Sequence, residues 1–102
     1  MSRTWEFSGA ASGGAQPVQG QYWSAQLKVT GTGAVTATVI VEATNTPGDS
    51  DSWQTLDTLT VSGTAPQRDF GVGGPVGWAS VRSRCTGLTG TGAAAVVVFN
   101  AQ

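Results

Sequence analysis

Apolar and polar residues alternate along much of the chain, which is the pattern of strands that bury one face. The alternation is clearest from Trp23 to Val29 and from Val35 to Ala43, where every second residue is apolar. Ile40 is an apolar exception on the opposite face of the second segment. No segment has the 3.6-residue period of an amphipathic helix. The pattern therefore predicts an all-β protein.

Residues typical of turns divide the chain into about eight short strands. Gly, Pro, Asn, Asp and Ser are concentrated in the segments 8–20, 44–52 and 71–77, and these residue types favour turn conformations. The third segment is expected to be a flexible connection. Short strands at this spacing predict a β-sandwich with either immunoglobulin-like or jelly-roll connectivity, and the sequence leaves that choice open.

The expected organisation is a single sandwich domain over residues 1–102. Residues 1–20 are predicted to form an N-terminal arm and loop, with a short edge strand from Arg3 to Phe7.

Later in the chain, Leu56 and Leu59 lie at positions of opposite parity. A β-bulge near Asp57 would bring both leucines to the core face.

One sequence pattern occurs twice. A tryptophan, a polar strand, Thr-Gly-Thr-Gly-Ala and an apolar strand follow one another from Trp23 to Ala43 and again from Trp78 to Phe99. Glycine permits the backbone conformations of tight turns, so the repeated motif predicts two hairpins. The hairpins would either pack face to face or lie side by side.

Composition narrows the classes of partner. Only 11% of residues are charged, the net charge is −1, and the five basic residues are scattered, so the chain lacks the basic patch of a nucleic-acid-binding protein. It contains neither a basic amphipathic helix nor an apolar run approaching the ~20 residues of a membrane span. Without a stretch typical of a signal peptide, the protein is expected to be synthesised and folded in a cytoplasm.

The residues that usually carry catalysis are scarce. The chain has no histidine, which excludes Ser-His-Asp and Cys-His arrangements and histidine-ligated zinc. Cys85 is the one cysteine and is predicted to be a buried thiol. Asp49 and Asp51 lack the further ligands of a calcium loop. We expect a protein that is not an enzyme and has no cofactor or metal.

Two sets of outward residues are candidate protein contacts. Ile40 stands among threonines on its strand, and Trp78, Arg82 and Arg84 share the outward side of a later strand. Tryptophan and arginine are enriched at the energetic centres of interfaces. The alternative interpretation is that the arginines are solvated strand charges and that Ile40 is an ordinary scattered apolar residue on the surface.

The tryptophans suggest a second function. Trp5 and Trp23 lie on apolar faces and are predicted to be core residues, whereas Trp53 and Trp78 begin strands and would be exposed. An exposed tryptophan pair could stack on sugar rings. A carbohydrate-binding β-sandwich module is therefore an alternative function.

From Trp53 onward the chain resembles small structural proteins of tailed-bacteriophage virions. In those proteins a Trp-x-x-Leu-x-x-Leu strand precedes Ser-Gly, an aromatic-led strand with Val-Arg, Thr-Gly-Thr-Gly-Ala and a valine-rich strand. The corresponding segments here are Trp53–Gly63, Trp78–Arg82 and Thr89–Phe99. The resemblance covers about half of the chain, with Trp78 at a position often held by tyrosine.

The resemblance implies a decoration or cement protein on the outer capsid surface of a virion, synthesised in the cytoplasm of a bacterial host. Its partner would be the major capsid protein, and it would act as a homo-oligomer, a dimer or trimer, without nucleic acid or membrane. A tail, neck or fibre accessory protein is the alternative virion role. The expected contacts are Ile40, Trp78, Arg82 and Arg84, together with an N-terminal segment that contains Arg3 and Trp5 and could be lent to a neighbour.

Overall fold

The structure, a computed structural model, describes residues 1–74 and 78–102. These residues form strands and no helix, which confirms the all-β prediction. The strands are β1 (Ser2–Phe7), β2 (Ala11–Ser12), β3 (Gln16–Pro17), β4 (Trp23–Thr44), β5 (Gln54–Thr64), β6 (Gln67–Gly73) and β7 (Ser80–Ala101). In this part of the chain no helix is long and apolar enough to cross a membrane.

All seven strands belong to one antiparallel sheet. Its main order is β1-β7-β4-β5, with β2 and β3 also paired to β7 and β6 also paired to β4. The chain is rich in strands, as predicted. It does not form about eight short strands, because two of its strands are 22 residues long. Of the predicted glycine-rich connection, residues 71–73 belong to β6 and residues 75–77 lie outside the described residues.

The two Thr-Gly-Thr-Gly sequences lie inside the long strands, at shifts of their pairing register that we call the corners, and the prediction of two hairpins was wrong. β4 and β7 pair antiparallel from end to end, with Trp23 opposite Ala101 and Thr44 opposite Ser80. Thr32 pairs with Thr91, and register shifts flank this pair. Glycine at positive φ allows a strand to bend at a bulge without reversing direction, so the same residues suit a corner as well as a turn.

The corners divide the sheet into two halves. The β6 half consists of β1, residues 94–101 of β7, residues 23–30 of β4, and β6. The β5 half consists of β2 and β3, residues 80–89 of β7, residues 34–44 of β4, and β5. Each half therefore has two central segments that are parts of the same two long strands.

The order of elements along the chain also repeats. The first half of the chain forms an edge strand (β1), short strands (β2 and β3) and a long strand (β4). The second half forms an edge strand (β5), a shorter strand (β6) and a long strand (β7) in the same order. The shorter strands of each set pair with the long strand of the other set. Because of this exchange, each half of the sheet contains strands from both halves of the chain.

Alternating burial in both halves confirms the predicted core faces. Leu27 and Val29 in the β6 half and Val39 and Val41 in the β5 half are fully buried in the same cluster. Cys85 is 2% exposed, as predicted for a buried thiol. The predicted bulge near Asp57 is also present, as a register shift between β4 and β5.

The N-terminal segment is part of the sheet and is not a free arm. Each residue of β1 has a partner on β7, from Ser2 opposite Asn100 to Phe7 opposite Ala95. Trp5 and Phe7 are buried in the core. Pairing and burial together hold this segment, because leaving the strand would expose two aromatic side chains.

Candidate interaction faces

Three predicted contact residues meet on the outward side of the β5 half. Ile40 on β4 lies opposite Arg84 on β7, and the neighbouring pair is Glu42 opposite Arg82. We call these four residues the arginine face. Ile40 is half-buried rather than fully exposed.

Glu42 sits between the two arginines of this face. Its carboxylate accepts hydrogen bonds from Arg82 Nε at 2.9 Å and from Arg84 Nε at 3.2 Å. The Glu42 side chain is only 7% exposed, against 22% for Arg82 and 36% for Arg84. Glu42 has the outward parity of β4, but the two arginines cover its side chain.

The charge state of Glu42 depends on these partners. Burial by itself would raise the pKa of the Glu42 carboxyl, because the charged form loses hydration. Hydrogen bonds from Arg84 and Arg82, with the positive charge of both, outweigh burial and lower the pKa below its ordinary value. The carboxylate therefore stays ionised and holds both guanidinium groups.

Arg82 has a second partner in Trp53. Its guanidinium carbon lies 4.1 Å from the centre of a Trp53 ring, the geometry of a cation–π contact. Arg82 is thus fixed by a carboxylate and by an aromatic ring, and neither arginine is a freely solvated strand charge. Of the two tryptophans that the sequence grouped as a sugar-stacking pair, Trp53 is therefore already in contact with a cation.

Trp78 is half-buried and lines an open pocket of about 480 Å³. The rest of the lining is mostly hydroxyl and amide side chains: Thr44, Asn45, Thr46, Ser52, Gln54, Thr55 and Leu56. Thr44 Oγ1 and Ser52 Oγ are 2.6 Å apart, and Asn45 Oδ1 accepts a hydrogen bond from the Ala79 amide at 3.0 Å. These contacts order the polar wall beside the indole.

The remaining two predicted contacts, Arg3 and Trp5, lie in the other half of the sheet. Arg3 Nε donates to the Pro17 carbonyl at 3.0 Å. Trp5 is 5% exposed, and its Nε1 donates to the Gly14 carbonyl at 2.8 Å. The prediction that Trp5 is a surface contact was therefore wrong, because its ring belongs to the core and its one hydrogen-bond donor is already satisfied.

A second face was missed by sequence reasoning. On the outward side of the β6 half, Phe70 is 71% exposed, Val72 is 80% exposed and Val98 is 37% exposed. Gln26 on β4 lies between Phe70 and Val98 in register. We call Phe70, Val72 and Val98 the apolar face.

The sequence did carry a signal for this face. In β6 the residues of the inward parity are Gln67, Asp69, Gly71 and Gly73, and the alternate residues are exposed. Phe70 and Val72 lie on the same side of β6 as the charged residue Arg68, which is expected to face water. This shared parity is the sequence signal that Phe70 and Val72 are exposed. Asp69 instead uses its carboxylate to accept a hydrogen bond from the Thr60 amide of β5 at 3.0 Å.

Elsewhere the described residues offer little reactive chemistry. Among residues 1–74 and 78–102, no group of three or more His, Cys, Asp or Glu side chains is arranged to hold a metal ion. Burial raises the pKa of the Cys85 thiol, and a backbone hydrogen bond with Gly87 offsets this rise only in part. The candidate sites described above are two outward faces and one pocket.

Comparisons of the chain with protein-family models, with curated proteins and with solved structures find no match. The virion role therefore stays a prediction from sequence resemblance.

Proposed function

We propose that the protein is a non-enzymatic structural protein that binds an assembled particle through its arginine face. The observation that carries this proposal is the ordered group in which Glu42 holds Arg82 and Arg84 beside Ile40. In the role that the sequence resemblance implies, the particle is a phage capsid, the partner is its major capsid protein, and the protein decorates the outer surface of the virion as a homo-oligomer.

Order within the arginine face supports binding. Immobilising a long side chain at an interface costs roughly 0.5–1.5 kcal/mol, and this cost is reduced for arginines that are already held by Glu42 and Trp53. Arginine is also enriched among the residues that dominate interface energies. The face therefore presents two positioned cations next to one apolar side chain.

Binding of this kind would stabilise the particle. A protein with affinity for the assembled lattice alone shifts the assembly equilibrium by mass action. Many identical weak contacts on one shell add through avidity. A modest affinity per copy is sufficient, and no reactive group is needed.

We also propose that the two halves of the sheet pack as the two layers of a β-sandwich. Support comes from the shared core and from links at both edges. At one edge Asp69 of β6 accepts from the Thr60 amide of β5, and at the other Trp5 of β1 donates to Gly14 between β2 and β3. Nuclear Overhauser contacts between the methyl groups of Leu27 and Leu59 would test the arrangement, and their absence would contradict it.

The functional test is co-sedimentation with expanded shells built from a major capsid protein encoded in the same genome. We expect the protein to sediment with shells and to raise their melting temperature. Arg84→Ala should weaken binding at least tenfold, as expected when an interface arginine is truncated. Asp49→Ala is the control, because Asp49 is an exposed charged residue on a loop outside both faces.

Equal binding by Arg84→Ala and the wild type would show that another surface is used. Absence of binding to any shell, or absence of a capsid gene from the genome, would end the decoration proposal. Binding to purified tails or necks instead of shells would move the protein to the alternative virion role.

A second candidate function, saccharide binding, is favoured by the Trp78 pocket. An indole beside hydroxyl and amide groups matches both parts of a sugar, its apolar ring face and its hydroxyls. Because Trp53 is engaged by Arg82, Trp78 alone is assigned the stacking role.

A glycan array followed by titration calorimetry tests this candidate. Trp78→Ala should abolish binding of any glycan that the wild type retains, whereas Phe70→Ala, which removes an exposed aromatic ring from the other half, should not. An array without bound glycans would eliminate the saccharide function.

A further inference from the structure

Among the described residues, no other part of the chain covers the apolar face. Phe70 and Val72 are more than two-thirds exposed, and with Val98 they line an open groove of about 360 Å³. Scattered surface valines are ordinary, but adjoining large apolar side chains on one face are typical of interaction sites. The groove is therefore a candidate binding site.

Strand register gives the arrangement of side chains around the groove. Two neighbouring rows cross the four strands of the β6 half from β6 to β1. The central row is Phe70, Gln26, Val98 and Thr4. The row beside it is Arg68, Lys28, Val96 and Glu6. Positive charge therefore lies at the β6 edge of this face and negative charge at its β1 edge.

In the row of Arg68, Lys28, Val96 and Glu6, the two positive charges are not balanced by a negative charge next to them. Arg68 and Lys28 are directly opposite each other, and like charges at paired positions destabilise a sheet. Both salt bridges in the described part of the chain involve Glu42, so neither basic residue has an ion-pair partner there, and nor does Glu6. An acidic group placed above Arg68 and Lys28 would relieve the repulsion.

We infer that the apolar face binds a second copy of this chain about a two-fold axis parallel to the strands. Such an axis places the β6 edge of each copy over the β1 edge of the other while the rows stay matched. Arg68 then faces Glu6 of the second copy, and the pair forms twice, as an isologous interface requires. Phe70 of each copy lies over Thr4 and beside Val98 of the other.

The other two-fold arrangement is less favourable. An axis perpendicular to the strands within the interface would keep each strand over its own counterpart and exchange the rows. Arg68 would then face Val72, and Glu6 would face Ser2, so no charges would pair. Charge complementarity therefore selects the axis parallel to the strands.

The size of the face determines how tightly two copies bind. Four strands about 4.8 Å apart and five residues long cover roughly 300 Å² per copy, which is less than half of the roughly 800 Å² per partner in a standard interface. The free protein should therefore dimerise weakly and reversibly. High local concentration on a particle would favour the dimer.

This inference deepens the proposed homo-oligomer, but its test uses the free protein. Sedimentation equilibrium over a concentration series up to about 1 mM should give a monomer–dimer equilibrium that weakens with salt. Glu6→Arg and Arg68→Glu should each raise the dimer Kd at least tenfold, and the double variant should restore it. Asp49→Arg, on an exposed loop, is the control and should leave Kd unchanged.

A monomer at every concentration would overturn the inference, and so would charge variants that dimerise like the wild type. Phe70→Ser provides a second test without a charge change, and it should also weaken the dimer. Unfolding midpoints equal to that of the wild type would establish that each variant is folded. Since shells are absent from this experiment, its failure leaves shell binding through the arginine face to be judged separately.

Discussion

The two halves of the sheet are alike on their inward side and different on their outward side. Inward, both contribute fully buried valines and leucines to one core. Outward, the β5 half carries hydroxyl side chains beside its ion-paired arginines. The hydroxyl residues are Thr36, Thr38, Thr58, Thr60, Ser62 and Thr64. The β6 half instead exposes Phe70 and Val72 next to charged residues that have no ion-pair partner in the described part of the chain.

This difference separates the requirements of folding from those of binding. Burial of apolar area stabilises the fold whichever half supplies it, so both inward faces obey one rule. No such rule constrains an outward face, and a chain that exposes phenylalanine gains no folding energy from doing so. The outward differences are therefore where the proposed partners are distinguished.

The largest effect is expected from breaking the inward side of the β6 half. Phe99 is fully buried and stacks on Trp23 with ring centres 5.7 Å apart. Phe99→Ala should lower the free energy of unfolding by about 3–5 kcal/mol, measured by urea denaturation. Phe70→Ala, the same change on the outward side of that half, should stay within about 0.5 kcal/mol of the wild type.

The transition of Phe99→Ala should also remain single when it is followed by tryptophan fluorescence and by circular dichroism. The two halves share their long strands and one core, so neither has a separate set of contacts to retain. Two separate transitions would show that the halves are independent.

The next largest effect is expected at the corner that joins the halves. A Cβ on Gly90, whose φ is +129°, would lie 2.7 Å from Val35 Cγ1 and 2.9 Å from the Ala34 carbonyl oxygen. Gly90→Ala should lower the free energy of unfolding by about 2–4 kcal/mol. Gly92, at φ +63°, has open space around its Cβ position, so Gly92→Asn should cost about 1 kcal/mol or less. Equal effects of the two changes would contradict close packing at the corner.

Removing the Glu42 charge tests the outward side of the β5 half. Glu42→Gln should lower the free energy of unfolding at neutral pH by about 1–3 kcal/mol, because two partly solvated arginines exchange a charged carboxylate for a neutral amide with one acceptor oxygen. The exposed Glu6→Gln is the control and should have no measurable effect in dilute solution.

The pH dependence of this contribution has a definite sign. The folded pKa of Glu42 is lower than its ordinary value of 4.5, so the stabilisation is complete above that value and is lost as pH falls through the folded pKa. Urea unfolding between neutral pH and about pH 3 should show the difference between wild type and Glu42→Gln shrinking. A difference that grows on acidification would contradict the ion-pair assignment.

The last prediction concerns the rate at which Cys85 is labelled and not the stability of the fold. Cys85 lies between Val39 of β4 and Ala11 of β2, and burial raises its thiol pKa. Its reaction with a thiol reagent should be on the order of a hundredfold slower than in the unfolded chain. A chain with Cys85→Ser and Thr86→Cys moves the thiol to an exposed neighbour and should react rapidly. Equal rates would show that the short strand β2 leaves Cys85 accessible.

Several elements followed from the sequence directly. The core positions of β4, the bulge near Asp57 and the burial of Cys85 all depend on side-chain parity and residue type, which are local properties. The arginine face was partly predictable for the same reason, because Arg82 and Arg84 share a parity. Their ion pair with Glu42 was not, since it joins residues 40 and 42 positions apart.

The course of the long strands required the tertiary structure. Thr-Gly-Thr-Gly is compatible locally with a reversal or with a bend, and only the pairing of Thr32 with Thr91 decides between them. The burial of Trp5 is a similar case, because an N-terminal strand stays in the sheet only if it can pair with another strand. The outward position of Phe70 depends on which neighbour β6 pairs with.

By itself, then, the order of residues determined that this chain forms strands and which side of most of them is buried, because alternation with period two is written into each segment. Which strands are neighbours, where the sheet bends and which apolar residues remain in water were decided by the tertiary structure. Those features arise from contacts between segments far apart in the chain, whose free energy no single segment contains.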